Sequence, residues 1–192
     1  MINKIVIDLE TQKTFDQVER RDPKKLGVSL AVIYNYQNQQ YRTFREEELK
    51  NLWPILESAD LIIGFNHKYF DNKVLSAYYA GDLSILPHLD LLEEFHKTAG
   101  FRIGLNNLAE ANLGEKKLAT GLQAIKWYQL GDFESLEKYC RQDVKVTRDI
   151  YEYALKYGKL KYKEINEIKE INLDTSGWNK AASRAVNYTL PF

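Results

Sequence analysis

The sequence predicts an α/β layer fold built on a mixed β-sheet. Strand-like patterns crowd the first 65 residues, and helical patterns dominate from there to Tyr157. A chain of 192 residues buries around 70% of its extended surface, about 32,000 Å² falling to about 9,400 Å², which is one full core. Charged residues at 28% and hydrophobic ones at 44% exclude disorder and collagen-like repeats. No apolar run approaches the ~18 residues of a spanning helix, so no membrane partner is expected. The opening MINKIVIDLE lacks a signal-peptide layout, and one cysteine, Cys140, fits a reducing compartment; a cytoplasmic location is expected. Zero net charge argues against nonspecific wrapping of a duplex but leaves room for a local nucleic-acid cleft.

In chain order, residues 2–9 read as a strand with Ile5, Ile7 and Leu9 on one face and Lys4, Val6, Asp8 and Glu10 on the other. Residues 27–36 form a second strand, and 39–44 its hairpin partner across a polar turn. Residues 45–58 are helical in pattern, with Pro54 interrupting or kinking them. The run DLIIGF, residues 60–65, suits a strand covered on both faces. Residues 70–80 are a helix candidate, and 86–91 a short strand or helix start. Thereafter Gly104, Gly114, Gly121, Gly131 and Gly158 sit near helix ends, and Asp132 is a suitable N-cap for a helix over 133–157. Beyond Gly158, alternation in KLKYKE predicts a hairpin strand, while Ile165, Ile168 and Ile171 at a spacing of three favour a helix instead. The domain is expected over residues 1–174, with 175–192 a tail packed on it or extending from it.

The chemical signal is a set of acids on otherwise apolar elements. At about 100° per residue, Leu136, Cys140, Val144, Val146, Thr147, Ile150, Tyr151 and Ala154 share one arc of the long helix. Asp143 falls near the middle of that arc, with Tyr139 one turn away. A buried carboxylate there needs a metal or a partner such as an arginine from elsewhere. Asp8 and Glu10 point to one face of their strand, and two carboxylates ~4 Å apart repel by ~4 kcal/mol at an effective dielectric of 20. A divalent cation between them turns repulsion into binding; a hydrated strand end is the alternative. Chance alone supplies about one D-x-E and about one Y-x-x-x-D, and both have decoys here, Asp132/Glu134 and Tyr128/Asp132. The pattern N-x-x-x-F-D, met by Asn66, Phe70 and Asp71, is expected only about 0.03 times.

Read in order, IDLET (7–11), NHKYFD (66–71) and YCRQD (139–143) resemble the three exonuclease motifs of the DEDD superfamily. Tyr139, four residues before the last acid, resembles the tyrosine-type branch; the histidine-type branch carries histidine where this chain has Lys138. The N-x-x-x-F-D form is similar to proofreading domains of family B DNA polymerases. Residues 104–144 are similar to ribonuclease H-like domains found alone or attached to DEAD/DEAH-box helicases. The resemblance spans residues 1–174. It implies a ribonuclease H-like mixed sheet flanked by helices, and removal of nucleotides from a 3′ end with release of 5′-monophosphates. It implies that Asp8, Glu10 and Asp143 bind one metal ion and that Asp8 bridges to a second held by Asp71. The partner implied is a nucleic acid with a 3′ end, single-stranded at the site, with a helicase as a possible second partner.

Two cations supply both an activated water and charge stabilisation at the attacking and leaving oxygens. An all-carboxylate set suits Mg²⁺ or Mn²⁺ better than zinc. Free tyrosine has a pKa near 10, so Tyr139 is a poor general base and is expected to orient the water. Thr11, Asn66 and Phe70 lie within the motifs and are candidate substrate contacts, Asn66 having a structural turn role as its alternative. Lys116, Lys117, Lys126 and Trp127 form the best cationic and aromatic cluster for a strand, followed by Lys159, Lys161 and Lys163. His67, His88 and His96 lack metal-ligand spacing and read as surface or packing residues, and Cys140 as an inert small hydrophobe. A non-catalytic nucleic-acid-binding module working with a helicase and an endoribonuclease on the same scaffold are the competing functions.

Overall fold

The computed structural model describes residues 2–115, 120–165 and 167–179. Its main sheet has five strands: β1 (Lys4–Thr11), β2 (Val28–Asn35), β3 (Gln40–Phe44), β4 (Leu61–Gly64) and β5 (His88–Asp90), in the spatial order β3-β2-β1-β4-β5. β1 pairs antiparallel with β2 and parallel with β4, so the sheet is mixed and its first strand is central. Both faces are covered, which is why β2 and β4 carry near-continuous apolar runs. Ile5, Ile7 and Leu9 enter one core, with Leu52, Leu56, Val74 and Leu75. Val6 and Val32 enter the other, with Phe95, Leu108, Leu136, Val144 and Ile150.

The helices are α1 (Trp53–Ser58), α2 (Asp71–Leu75), α3 (Leu91–Ala99), α4 (Leu105–Leu113), α5 (Gly121–Leu130) and α6 (Phe133–Tyr157). The helical pattern over 45–58 divides into a 3-10 helix, Glu46–Asn51, and α1, with Pro54 in the first turn of α1 where its missing N–H costs nothing. The helix expected over 70–80 is much shorter. After Leu75 three-residue steps enter the backbone bonding, Ala77 N–H to Val74 O (3.2 Å) and Tyr78 N–H to Leu75 O (2.9 Å), beside a last four-residue step from Tyr79 N–H to Leu75 O (3.2 Å). Residues 86–91 hold both a strand and a helix start, because the Asp90 side chain accepts from the Leu92 and Glu93 amides and caps α3. Asp132 caps α6 by accepting from Ser135 N–H at 3.1 Å.

Past Gly158 (φ +63°) the hairpin forms, as β6 (Lys159–Glu164) antiparallel to β7 (Glu167–Asn172). Alternation wins over the three-residue spacing because it buries Leu160 and Tyr162 together, whereas Ile168 stays 63% exposed. The outer edge of β6 is closed by α4: Asn112 bonds both the N–H and the C=O of Lys161, and Asn107 both those of Lys163, all at 2.7–2.8 Å. Of the expected tail, residues 175–179 bring Trp178 flat against Tyr151 at 5.8 Å; residues 180–192 lie outside the described residues. Among the described residues no helix is long and apolar enough to cross a membrane.

Candidate active site

The site lies at the end of β1. Asp8 and Glu10 share the face that packs against α6, and one oxygen from each, with one from Asp143 of α6, lie within 4.8 Å of one another. The β1–β2 register shifts between Glu10 and Thr11, a bulge that bends the strand where its acids end. Asp71 begins α2 just past β4. The parallel β1–β4 pairing stops at Val6 and Ile63, and the Leu9 amide beyond it hydrogen-bonds the Asp71 carboxylate.

Burial, and then the charges of Asp71, Asp143 and Glu10, push the Asp8 carboxyl well above its usual range. Burial followed by Asp143 and Asp71 does the same to Glu10. Asp71 is 3% exposed, and burial lifts it to about 7 against the lowering effect of the backbone amides it accepts. Its Oδ1 is buried without a hydrogen-bond partner among the described residues. The donor set is therefore all oxygen, mutually repelling, and short of one buried partner, and such a set fits a hard divalent cation such as Mg²⁺ or Mn²⁺.

Tyr139 is buried and hydrogen-bonded to Asp143, its ring 6.0 Å from that of Trp127. Burial and the neighbouring Asp143, Glu10 and Asp8 raise its hydroxyl far above the ordinary tyrosine value, so it stays protonated and donates. Cys140 does more than fill space. Its Sγ lies 3.5 Å from both the carbonyl oxygen and Oδ2 of Asp8, and burial keeps the thiol protonated as a weak donor to that carboxylate.

The other predicted contacts divide. Thr11 is buried and its hydroxyl donates to the Lys13 carbonyl at 3.0 Å, so its proton is used within the turn rather than offered at the surface. Phe70 is half-buried, edge-on to Phe15 at 6.0 Å. Asn66 takes a left-handed φ of +62°, its carbonyl accepting from Phe70 N–H (3.0 Å) and its Oδ1 from Arg102 (2.6 Å); the turn role is present. Trp127 is half-buried against Tyr139, while Lys116 and Lys117 lie outside the described residues. The lysine face of β6 is paired with carboxylates, Lys159 and Lys161 with Glu170 and Lys163 with Glu110. His67 and His88 pack ring to ring, their Nε2 and Nδ1 3.0 Å apart, and His96 is exposed.

Sequence reasoning passed over Asp90 and Arg102. Asp90 is buried; its Oδ1 accepts from Asn66 N–H (2.8 Å) and Leu92 N–H (3.0 Å), and its Oδ2 from Lys68 N–H (3.0 Å). It fixes the loop that delivers Asp71. The signal was the acid opening an apolar helix start, LDLLEEF, which marks an N-cap but not the second loop it holds.

Chain topology and the acids define a class. A family model described as the RNase_H superfamily matches residues 5–155, and the chain belongs to that superfamily. Among solved structures, a family B DNA polymerase from the hyperthermophilic archaeon Pyrobaculum calidifontis is similar at a TM-score of 0.62 and 14% identity, over 81% of this chain and 25% of the polymerase. RNase D of Trypanosoma brucei is similar at a TM-score of 0.56 and 18% identity, over 78% of this chain and 56% of that one. The same enzyme in complex with RNA U12 gives 0.59 and 19%, over 78% and 54%. The chain thus spans about a quarter of the polymerase and about half of RNase D, and the likeness establishes the shared fold. No curated protein sequence matches this chain.

Proposed function

We propose that the chain is a metal-dependent 3′–5′ exonuclease of the tyrosine-type DEDD branch, hydrolysing phosphodiesters at nucleic-acid 3′ ends and releasing 5′-monophosphates. The observation that carries this reading is the convergence of Asp8, Glu10 and Asp143 within 4.8 Å, with Tyr139 hydrogen-bonded to Asp143. Asp8, Glu10 and Asp143 would hold one divalent cation, and Asp8 with Asp71 a second. When bound, the pair supplies an activated water and charge stabilisation on the attacking and leaving oxygens. Tyr139, protonated and donating to Asp143, would orient the attacking water by accepting a hydrogen bond from it at the hydroxyl oxygen; it does not take the water's proton. Asp90 and Cys140 hold Asp71 and Asp8 in place. The similar RNase D forms a complex with RNA U12, which supports a nucleic-acid substrate here. The helicase partner draws no support from the acids' geometry or from the similar structures.

The test is a 5′-labelled single-stranded oligonucleotide incubated with Mg²⁺ or Mn²⁺. A ladder shortening from the 3′ end is expected, abolished by Asp8→Ala with Asp143→Asn. Full activity in that double variant overturns the assignment, and cleavage of circular substrates turns it into an endonuclease.

A further inference from the structure

A cleft of about 470 Å³ lies on the far side of α2 from the acids. At about 100° per residue, Asp71 faces β1 while Lys73 and Ser76 point well round the helix, roughly 200° and 140° away. Lys24, from the 3-10 turn Pro23–Lys25, lines the cleft too, as do Asn72 and His88. Lys24 and Lys73 have no carboxylate within 4 Å among the described residues, whereas Lys68, at the same cleft, is paired with Glu93. The one acid in the lining, Asp82, accepts from both the amide (2.8 Å) and hydroxyl (2.7 Å) of Ser84, within its own turn. Tyr69 stands at the rim, 51% exposed and without a ring contact among the described residues. Free cations beside an open aromatic face are what a single strand of nucleic acid requires, the first for phosphates and the second for a base. The volume is too large for a lone anion and suits a nucleotide unit.

We infer that this cleft carries the substrate strand away from its reacting 3′ end, with phosphates on Lys24 and Lys73 and a base stacked on Tyr69. The inference rests on the nuclease reading above. Residues 66–71 join the two sites: Asp71 stands with the acids, and Lys68 and Tyr69 line the cleft. A strand crossing between them spans one helix, about 10 Å. This path takes the place of the lysine face of β6, whose charges are already paired.

The experiment measures anisotropy of a 5′-fluorescein ten-nucleotide strand, with Mg²⁺ present, in an Asp143→Asn background that leaves the strand intact. Adding Lys24→Glu and Lys73→Glu should weaken binding at least about tenfold and lower the slope of log affinity against log salt by about 1.4, two contacts at about 0.7 each. Tyr69→Ala should cost about tenfold through lost stacking. In the otherwise wild-type enzyme the same changes should leave hydrolysis of bis-p-nitrophenyl phosphate, too short to reach the cleft, unaltered. Unchanged affinity in both sets of variants overturns the inference. So does a mononucleotide 5′-monophosphate that competes as tightly as the ten-mer, which would make the cleft a free-nucleotide site. Failure of the wild type to hydrolyse any substrate would remove the nuclease reading alone, since the affinity losses are read without turnover.

Discussion

Tyr139 and Asp71 set the residue-scale behaviour of the site. The Tyr139 hydroxyl is held protonated by burial and three carboxylates, so under the proposed function its contribution would be orientation, and Tyr139→Phe should lower kcat by about 10²-fold while leaving metal affinity close to unchanged. Single-turnover cleavage with Mn²⁺ titration separates the two, and an unaltered rate would take Tyr139 out of the chemistry. Asp71 has the opposite character, a carboxylate whose ionised form the fold disfavours. Its folded pKa of about 7 lies above the unfolded value, so the folded state binds its proton more tightly. The stability this contributes is full below about pH 4 and is lost as pH rises through about 7. Without metal, Asp71→Asn should therefore be more stable than wild type at pH 8, and the gap should shrink steadily towards pH 4. Denaturant melts in EDTA at several pH values check this; a gap independent of pH would show that Asp71 is not the strained group.

At the scale of elements, two acceptor sets hold pieces that their own hydrogen bonding leaves open. Asp90 joins β5 to α3 and anchors the loop before α2 through the Asn66 and Lys68 amides. Asp90→Ala strands several buried donors at once and should cost about 3 kcal/mol, with activity falling further than stability because Asp71 rides on that loop. Urea unfolding beside a rate measurement tests both halves. At the hairpin, Asn112 and Asn107 of α4 serve β6 as a neighbouring strand would. Asn112→Ala should cost about 2 kcal/mol and Asn107→Ala, in a more exposed place, about half that. Turnover should stay close to wild type in both, since the hydrogen bonds of these two side chains go to β6 and to α4 itself and not to the acids.

The whole molecule is a mixed sheet whose central strand delivers two acids to the same place as a helix delivers a third. Holding like charges together stores unfavourable energy in the fold, and a divalent cation bound among them would relieve it. Mg²⁺ at 100 times its dissociation constant should stabilise the protein by about 2.7 kcal/mol, seen as a raised Tm against EDTA, and the shift should be smaller in Asp8→Ala. Equal shifts in both would place the ion elsewhere.

What the sequence by itself determined is whatever depends on local periodicity and local chemistry. The two-residue step of Asp8 and Glu10 shares one strand face, and α6 runs over its expected residues because Asp132 and Gly158 terminate it whatever packs on it. Tertiary structure decided the rest. Whether Asp143 in its apolar arc meets an arginine or other acids depends on β1, more than 130 residues earlier. Whether residues 159–172 coil or pair depends on Leu160 and Tyr162 finding a core and on α4 closing the edge of β6. The roles of Cys140 and Asp90, and the open charges of Lys24 and Lys73 against the paired lysines of β6, depend likewise on neighbours remote in the chain. A sequence pattern records which face a side chain takes, but the charge or donor it meets there is supplied by another segment, and only the packed chain brings the two together.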